Sequence, residues 1–305
     1  MGTQSFVGHL HTVLGHFLPS PKIPACGEKH VVKLPDGDAL VGFLYRGKSE
    51  AVVSLFHGLT GSSEADYMQR TAIHYLALGH SVFLVNHRGV GAGEGLARHP
   101  YHSGRAEDVS EVIHYLRQLF PGKKQVAVGF SMSGNILLYL LAGQRGGHLP
   151  DGAITVNAPI NLSACAVALG EGFNRIYDLR FVRRIIAEKS LELSPWSRLT
   201  DIDDHYTAPQ GGFKDRHDYY QICSAKDHVH KIQTPVCVLT AADDPFVPVK
   251  DYLEAPWSKT VHLKIHPWGG HMGYLSSRKT RLGNYRWLDE YLVESLRNLS
   301  ILLRL

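Results

Sequence analysis

No hydrophobic run in this 305-residue chain approaches the roughly 20 residues needed to cross a bilayer. No block of one charge stands out either. The 32 Lys and Arg and the 28 Asp and Glu are scattered, leaving a formal charge of +4, so nucleic-acid binding gets little support. Cysteine is scarce: Cys26, Cys165, Cys223 and Cys237 form no C-x-x-C pair, and no secretory signal precedes them. That pattern argues for reduced thiols in a cytoplasm and against a disulfide framework. The 19 His are dispersed and contain no H-E-x-x-H, so no metal site is expected. Gly89 to Gly95 misses the G-x-G-x-x-G spacing of a dinucleotide loop, and no cofactor is expected. No internal repeat or low-complexity linker is visible. Hydrophobic content of 44% against 20% charged residues describes a globular domain with a sizeable core.

Short apolar runs alternate with helical spacing along most of the chain. Ala51–Phe56, Ser81–Val85, Gln125–Val128, Ala153–Val156, Val236–Leu239 and Thr260–Ile265 read as strands. Residues 64–79, 105–119 and 284–303 read as helices, and Pro35-Asp36-Gly37-Asp38 as a hairpin turn between two strands within 30–46. Strand-helix alternation implies parallel pairing with right-handed crossovers, an α/β sandwich. The rhythm fails from Pro159 to about His230, where Phe173, Tyr177, Phe181, Tyr206, Phe213, Tyr219 and Tyr220 crowd among charges and turns. The expected organisation is a core of residues 1–158 and 231–305 with a cap insertion over 159–230. An amphipathic helix over about residues 5–18 groups Phe6, Val7, Leu10, Val13, Leu14, Phe17 and Leu18 on one face. It is expected to pack on its own domain rather than on a membrane or a second copy.

The pattern Gly129-Phe130-Ser131-Met132-Ser133-Gly134 joins a buried strand to a helix and reads as a nucleophile elbow. Small residues are required there because strand and helix pass close together. The usual last Gly of G-x-S-x-G is Ser133 here. A serine hydroxyl needs a base, and the base an orienting acid, in the chain order Ser, Asp or Glu, His. The strand at 236–239 runs into Asp243-Asp244-Pro245, and the strand at 260–265 into His266-Pro267-Trp268-Gly269-Gly270-His271. Asp244 is favoured over Asp243, which would then serve as a turn or capping residue, and His271 over His266 as the base. His262 falls inside a strand. Two backbone amides, those of Met132 and Leu59, are expected to form the oxyanion hole. Gly58 lets that loop approach closely, and His57 braces it without acting as a second base.

Taken together, these segments resemble the YheT-like branch of the α/β-hydrolases. The resemblance rests on Gly129-Phe130-Ser131-Met132 with Asn135, on His57 to Gly61, and on Asn86-His87-Arg88-Gly89. Tyr101 to Gly104, Thr207-Ala208-Pro209, Gly212 to Asp215, Asp218-Tyr219-Tyr220, Ala241 to Pro248 and Gly270 to Gly273 extend it over nearly the whole chain. It implies an α/β-hydrolase fold with a cap and hydrolysis of carboxylic esters, of short to medium acyl chain, by Ser131, Asp244 and His271. Related members act on phospholipids or make esters by acyl transfer, so both remain alternatives, with a non-catalytic binding protein as a third. The expected partner is a small-molecule ester. Peripheral lipid contact and oligomeric state are left open. Activity is expected to rise with pH as His271 gives up its proton.

Overall fold

The computed structural model describes residues 3–24 and 26–303. Among the described residues, eight strands form one sheet in the order β1-β2-β4-β3-β5-β6-β7-β8. They are β1 (Glu28–Lys33), β2 (Ala39–Tyr45), β3 (Ala51–Phe56), β4 (Ser81–Asn86), β5 (Lys124–Phe130), β6 (Gly152–Val156), β7 (Val236–Ala241) and β8 (Val261–His266). The β1-β2-β4 ladder is antiparallel and the rest is parallel. Strands β3, β4, β6 and β7 are buried at every position, which is why they read as unbroken apolar runs instead of alternating ones. The edge strand β8 keeps alternating exposure, and His262 sits within it opposite Cys237.

Helices cover both faces. They are α1 (Thr3–Phe17), α2 (Asp66–Ala77), α3 (Ala106–Leu119), α4 (Met132–Leu141), α5 (Leu162–Leu169) and α6 (Arg175–Lys189), followed by the short α7 (Leu199–Ile202) and α8 (Ala208–Gly211). Then come α9 (Arg216–Cys223), α10 (Val249–Glu254) and α11 (Trp287–Leu303). Helix α2 ends where Gly79, at φ +88°, turns the chain, with Gly79 and His80 N–H donating back to Leu76 and Tyr75 carbonyls. One apolar cluster packs α3 and α4 on one face of the sheet; a second packs α2 and α11 on the other. Between β6 and β7 the chain leaves the sheet for α5 to α9, the stretch read from sequence as a cap. Phe213, Tyr219 and Tyr220 make a small core of their own there, with Leu162, Ala208 and Cys223. All four cysteines are unpaired thiols. No helix among the described residues is long and apolar enough to cross a membrane.

Helix α1 turns its small-residue face inward. It does pack on its own domain, but not by its apolar face: Phe6, Leu10, Val13, Leu14 and Phe17 are exposed. The face turned inward carries Gly8, Thr12 and Gly15, spaced i, i+4, i+7. A Cβ on Gly8 would collide with the Asp243 carbonyl, and one on Gly15 would lie 2.6 Å from Gly273 Cα. Small residues let the helix lie directly on the two loops that carry Asp243 and His271. Close approach decided the orientation, and hydrophobicity did not.

Candidate active site

The order β4-β3-β5 reverses direction at β3 and β5, so the loops leaving their C-terminal ends diverge and open a crevice. Ser131 stands in that crevice at the end of β5. Its backbone sits at φ 50°, ψ −119°, a conformation a side chain rarely adopts and one that lifts the hydroxyl off the sheet edge. Glycine is required on both sides of the turn. A Cβ on Gly129 would strike the Ser133 carbonyl, and one on Gly134 would come within 2.8 Å of Ala158 Cβ.

His271 Nε2 lies 2.9 Å from Ser131 Oγ, and its Nδ1 lies 2.8 Å from Asp244 Oδ2. A carboxylate only accepts, so Nδ1 carries the proton and Nε2 is left to accept from the serine hydroxyl. Asp244 is fully engaged: Oδ2 also accepts from Asn157 Nδ2 (2.6 Å), and Oδ1 accepts from the Phe246 and Val247 N–H groups (3.1 and 3.0 Å). Asp243 turns away and accepts from the Gly269 and Gly270 N–H groups at 2.8 and 2.9 Å. It shapes the turn that presents His271. His266 lies apart from Ser131, its ring bonded to the Trp268 backbone.

The loop after β3 is held from several sides. The Gly58 N–H donates to Tyr67 Oη and the Thr60 N–H to Tyr101 Oη, both at 3.0 Å. Between them, the Leu59 N–H has no partner among the described residues, and neither has the Met132 N–H at the start of α4. Gly58 packs against Ser131, which brings the loop alongside the hydroxyl. Two unpaired donors beside a serine hydroxyl have the geometry of an oxyanion hole.

Below this loop lies a buried polar network. His57 Nε2 accepts from the His87 N–H (3.2 Å), so His57 Nδ1 carries the proton and donates to the Gly58 carbonyl (2.8 Å). Ser133 Oγ donates to the His57 carbonyl and therefore accepts from His87 Nε2 at 2.7 Å. Burial pushes His57 down to about 4 and His87 well below its usual value, so both rings are neutral at pH 7. The extra hydroxyl of the elbow thus ties the loop after β3 to the end of β4.

Two spaces meet at Ser131 and share Leu59, Phe181 and Phe246 as walls. One is an open cleft of about 460 Å³ bordered by α1, α6 and the Leu59–Tyr67 segment. The other is an apolar recess of about 120 Å³ beneath Leu162, Cys165, Leu169, Tyr219 and Tyr220. Its one acid, Asp203, accepts from Tyr220 Oη at 2.6 Å, and burial raises its pKa to about 6.

Sequence reasoning missed four participants. Asn157, at φ 47°, donates to Asp244 and to the Gly270 carbonyl and accepts from Tyr274 Oη. Its signal was a polar residue directly after a buried strand at the active end of the sheet. Thr12 Oγ1 accepts the His271 N–H at 2.8 Å, and Tyr67 and Tyr101 pin the loop after β3. No local pattern assigns these three a role at the site.

This sheet, with a Ser-His-Asp chain at the ends of β5, β7 and β8, defines an α/β hydrolase. The family model described as the alpha/beta hydrolase fold matches residues 51–189. The chain is 30% identical over 281 residues to the candidate esterase YheT of Escherichia coli K12, covering 85% of this chain and 81% of that protein. It is 26% identical to the mouse phospholipase ABHD3, covering 87% of this chain and 70% of that one. Among solved structures, the Pyrococcus furiosus esterase Pf2001 superposes with a TM-score of 0.62 at 15% identity, over 92% of this chain and 95% of that one. The chain belongs to the YheT-like branch of the α/β-hydrolase family.

Proposed function

We propose that this chain is a serine esterase that cleaves carboxylic esters of short to medium acyl chain through an acyl-enzyme. The observation that carries the proposal is the unbroken chain Ser131 Oγ, His271, Asp244, with two unpaired amides beside the serine. In the first step Ser131 Oγ attacks the ester carbonyl carbon while its proton passes to His271 Nε2. The carbonyl oxygen becomes an oxyanion that the Leu59 and Met132 N–H groups receive. Asp244 holds the imidazolium. The C–O bond to the alcohol breaks, and His271 returns the proton to the leaving oxygen. Water then enters, gives a proton to His271, and attacks the acyl carbon to release the carboxylic acid and restore Ser131.

The recess of about 120 Å³ lies well below the roughly 300–1,000 Å³ of pockets for drug-sized ligands, which supports the short-to-medium acyl range. The larger cleft supports an alcohol portion of greater size, and it leaves room for an alcohol to replace water as acceptor. Four unpaired thiols support a reducing compartment such as the cytoplasm.

A fluorophosphonate should label wild-type protein once per chain at Ser131, as read by peptide mass spectrometry, and should leave Ser131→Ala unlabelled. p-Nitrophenyl esters from acetyl to dodecanoyl should show an optimum at short or medium length. Absence of labelling in folded protein would overturn the assignment. Product ratios in ethanol-water mixtures separate hydrolysis from acyl transfer.

A further inference from the structure

Helix α1 leaves an apolar stripe in solvent. Phe6, Leu10, Val13 and Phe17 follow one another at i, i+4, i+7 and i+11, with Leu14 beside them; Phe6 is 65% exposed and Phe17 72%. Such a stripe on a terminal helix normally faces the core. Here the inner face is already taken by Gly8, Thr12 and Gly15 on the Asp243 and His271 loops.

Helix α6 lies alongside. Tyr177 Oη meets His9 Nδ1 at 3.0 Å, and Arg180 Nη2 donates to His16 Nε2 at 2.6 Å. The outer face of α6 carries Ile176, Arg180, Arg183 and Arg184. Arg184 pairs with Glu188 at 2.7 Å. Neither Arg180 nor Arg183 has a carboxylate partner among the described residues; Arg183 lies over exposed Trp196, 4.8 Å from the ring centroid. Val13, Phe17, Arg180 and Arg184 also border the cleft that reaches Ser131. Exposed apolar side chains, guanidinium groups without a carboxylate partner among the described residues and the mouth of the site therefore share one face.

We propose that this face docks onto a membrane surface containing anionic phospholipid, with the α1 stripe in the acyl-headgroup boundary and Arg180 and Arg183 on lipid phosphates. The apolar stripe beside cations matches what an interfacial helix presents to a bilayer. A second copy of this chain is the poorer fit. Two-fold pairing through the face would set the same arginines on both sides of the interface. Docking places the cleft mouth at the lipid, so an ester could pass from the boundary to Ser131 without crossing bulk water. That delivery step rests on the esterase reading, whereas the docking itself does not.

The test is cosedimentation of the full chain with vesicles of phosphatidylcholine alone and of an equimolar phosphatidylcholine-phosphatidylglycerol mixture, at low and high salt. Binding is expected to be at least about tenfold tighter to the anionic vesicles and to weaken with salt. Arg183→Glu and the double variant Phe6→Ser, Leu14→Ser should each weaken binding by about tenfold or more. Both should hydrolyse soluble p-nitrophenyl butyrate like wild type, which shows that they are folded. Absence of binding to anionic vesicles, or binding unchanged in both variants, overturns the proposal. So does a dimer in light scattering that the double variant dissociates, with no vesicle binding. Loss of p-nitrophenyl butyrate turnover in the wild type, with vesicle binding intact, would sink the esterase reading and leave the docking surface standing.

Discussion

Replacing Ser133 by glycine would restore the commoner elbow sequence, and the structure says it should make the enzyme worse. The Ser133 hydroxyl satisfies two fully buried groups at once, the His57 carbonyl and His87 Nε2–H. Removing it leaves one acceptor and one donor unpaired, each worth about 1–3 kcal/mol when stranded in a buried site. Partial relaxation into the vacated space brings the expected total to about 2 kcal/mol, a fall of several degrees in melting temperature. Ser133→Ala gives the cleaner number, because glycine in a helix adds roughly 0.5–1 kcal/mol of backbone entropy. The His57 carbonyl immediately precedes the loop that carries the Leu59 N–H. Outright deletion of an oxyanion donor costs about 10²–10³ in kcat. A displaced donor should cost about tenfold, with KM within about twofold. Both variants would be compared with Ser133→Thr, which keeps the hydroxyl, in p-nitrophenyl butyrate turnover and thermal melts. Thr should hold kcat even if its added methyl lowers the melting temperature. A Gly variant as active and as stable as wild type would refute the role assigned to the hydroxyl.

Two further outcomes follow from buried charge. His57 is held to about 4 by burial, against about 6.5 unfolded, so between these values the unfolded chain binds the extra proton. Stability should therefore fall as pH drops through that window, by up to about 3 kcal/mol from this ring. Urea unfolding at about pH 7.5 and 4.5 would show it, and His57→Gln should flatten the slope; equal wild-type stability at both pH values would contradict the reasoning. Arg88 is buried and bonds both Asp108 oxygens (2.7 and 2.6 Å) as well as Asp36 and Asp38 (2.6 and 2.7 Å). Arg88→Met would leave the buried Asp38 and Asp108 carboxylates without this guanidinium, a loss of about 3–5 kcal/mol by denaturant titration. A loss below about 1 kcal/mol would show that the cluster is solvated in ways the geometry does not suggest.

The parts of the fold legible in the sequence are those with local signals. Strands β3, β4, β6 and β7 announce themselves as apolar runs because both faces are covered, and the elbow does so because Gly129 and Gly134 admit no Cβ. Asp244 and His271 could be found from their places just past two strand ends. What stayed hidden depends on segments far apart in the chain. Thr12 meets His271 across 259 positions, and Tyr101 reaches Thr60 across 41, with no periodicity to mark either contact. The packed face of α1 stayed hidden for a related reason: apolar periodicity singles out the side of Phe6, Leu10 and Phe17, whereas Gly8 and Gly15 decided the matter by closeness of approach.

That reversal bears on how the site holds its geometry. The His271 loop contains three positive-φ residues, Gly270, Met272 and Tyr274, so its own backbone preferences do not fix the imidazole. It is held from outside: Asp243 bonds the Gly269 and Gly270 amides, Asn157 bonds the Gly270 carbonyl, and Thr12 of α1 takes the His271 amide. Three separate segments thus converge on one loop. The short motif around Ser131 reads as a nucleophile elbow. Whether that serine meets an imidazole in register depends on three other segments, those of Thr12, Asn157 and Asp243, holding the His271 loop.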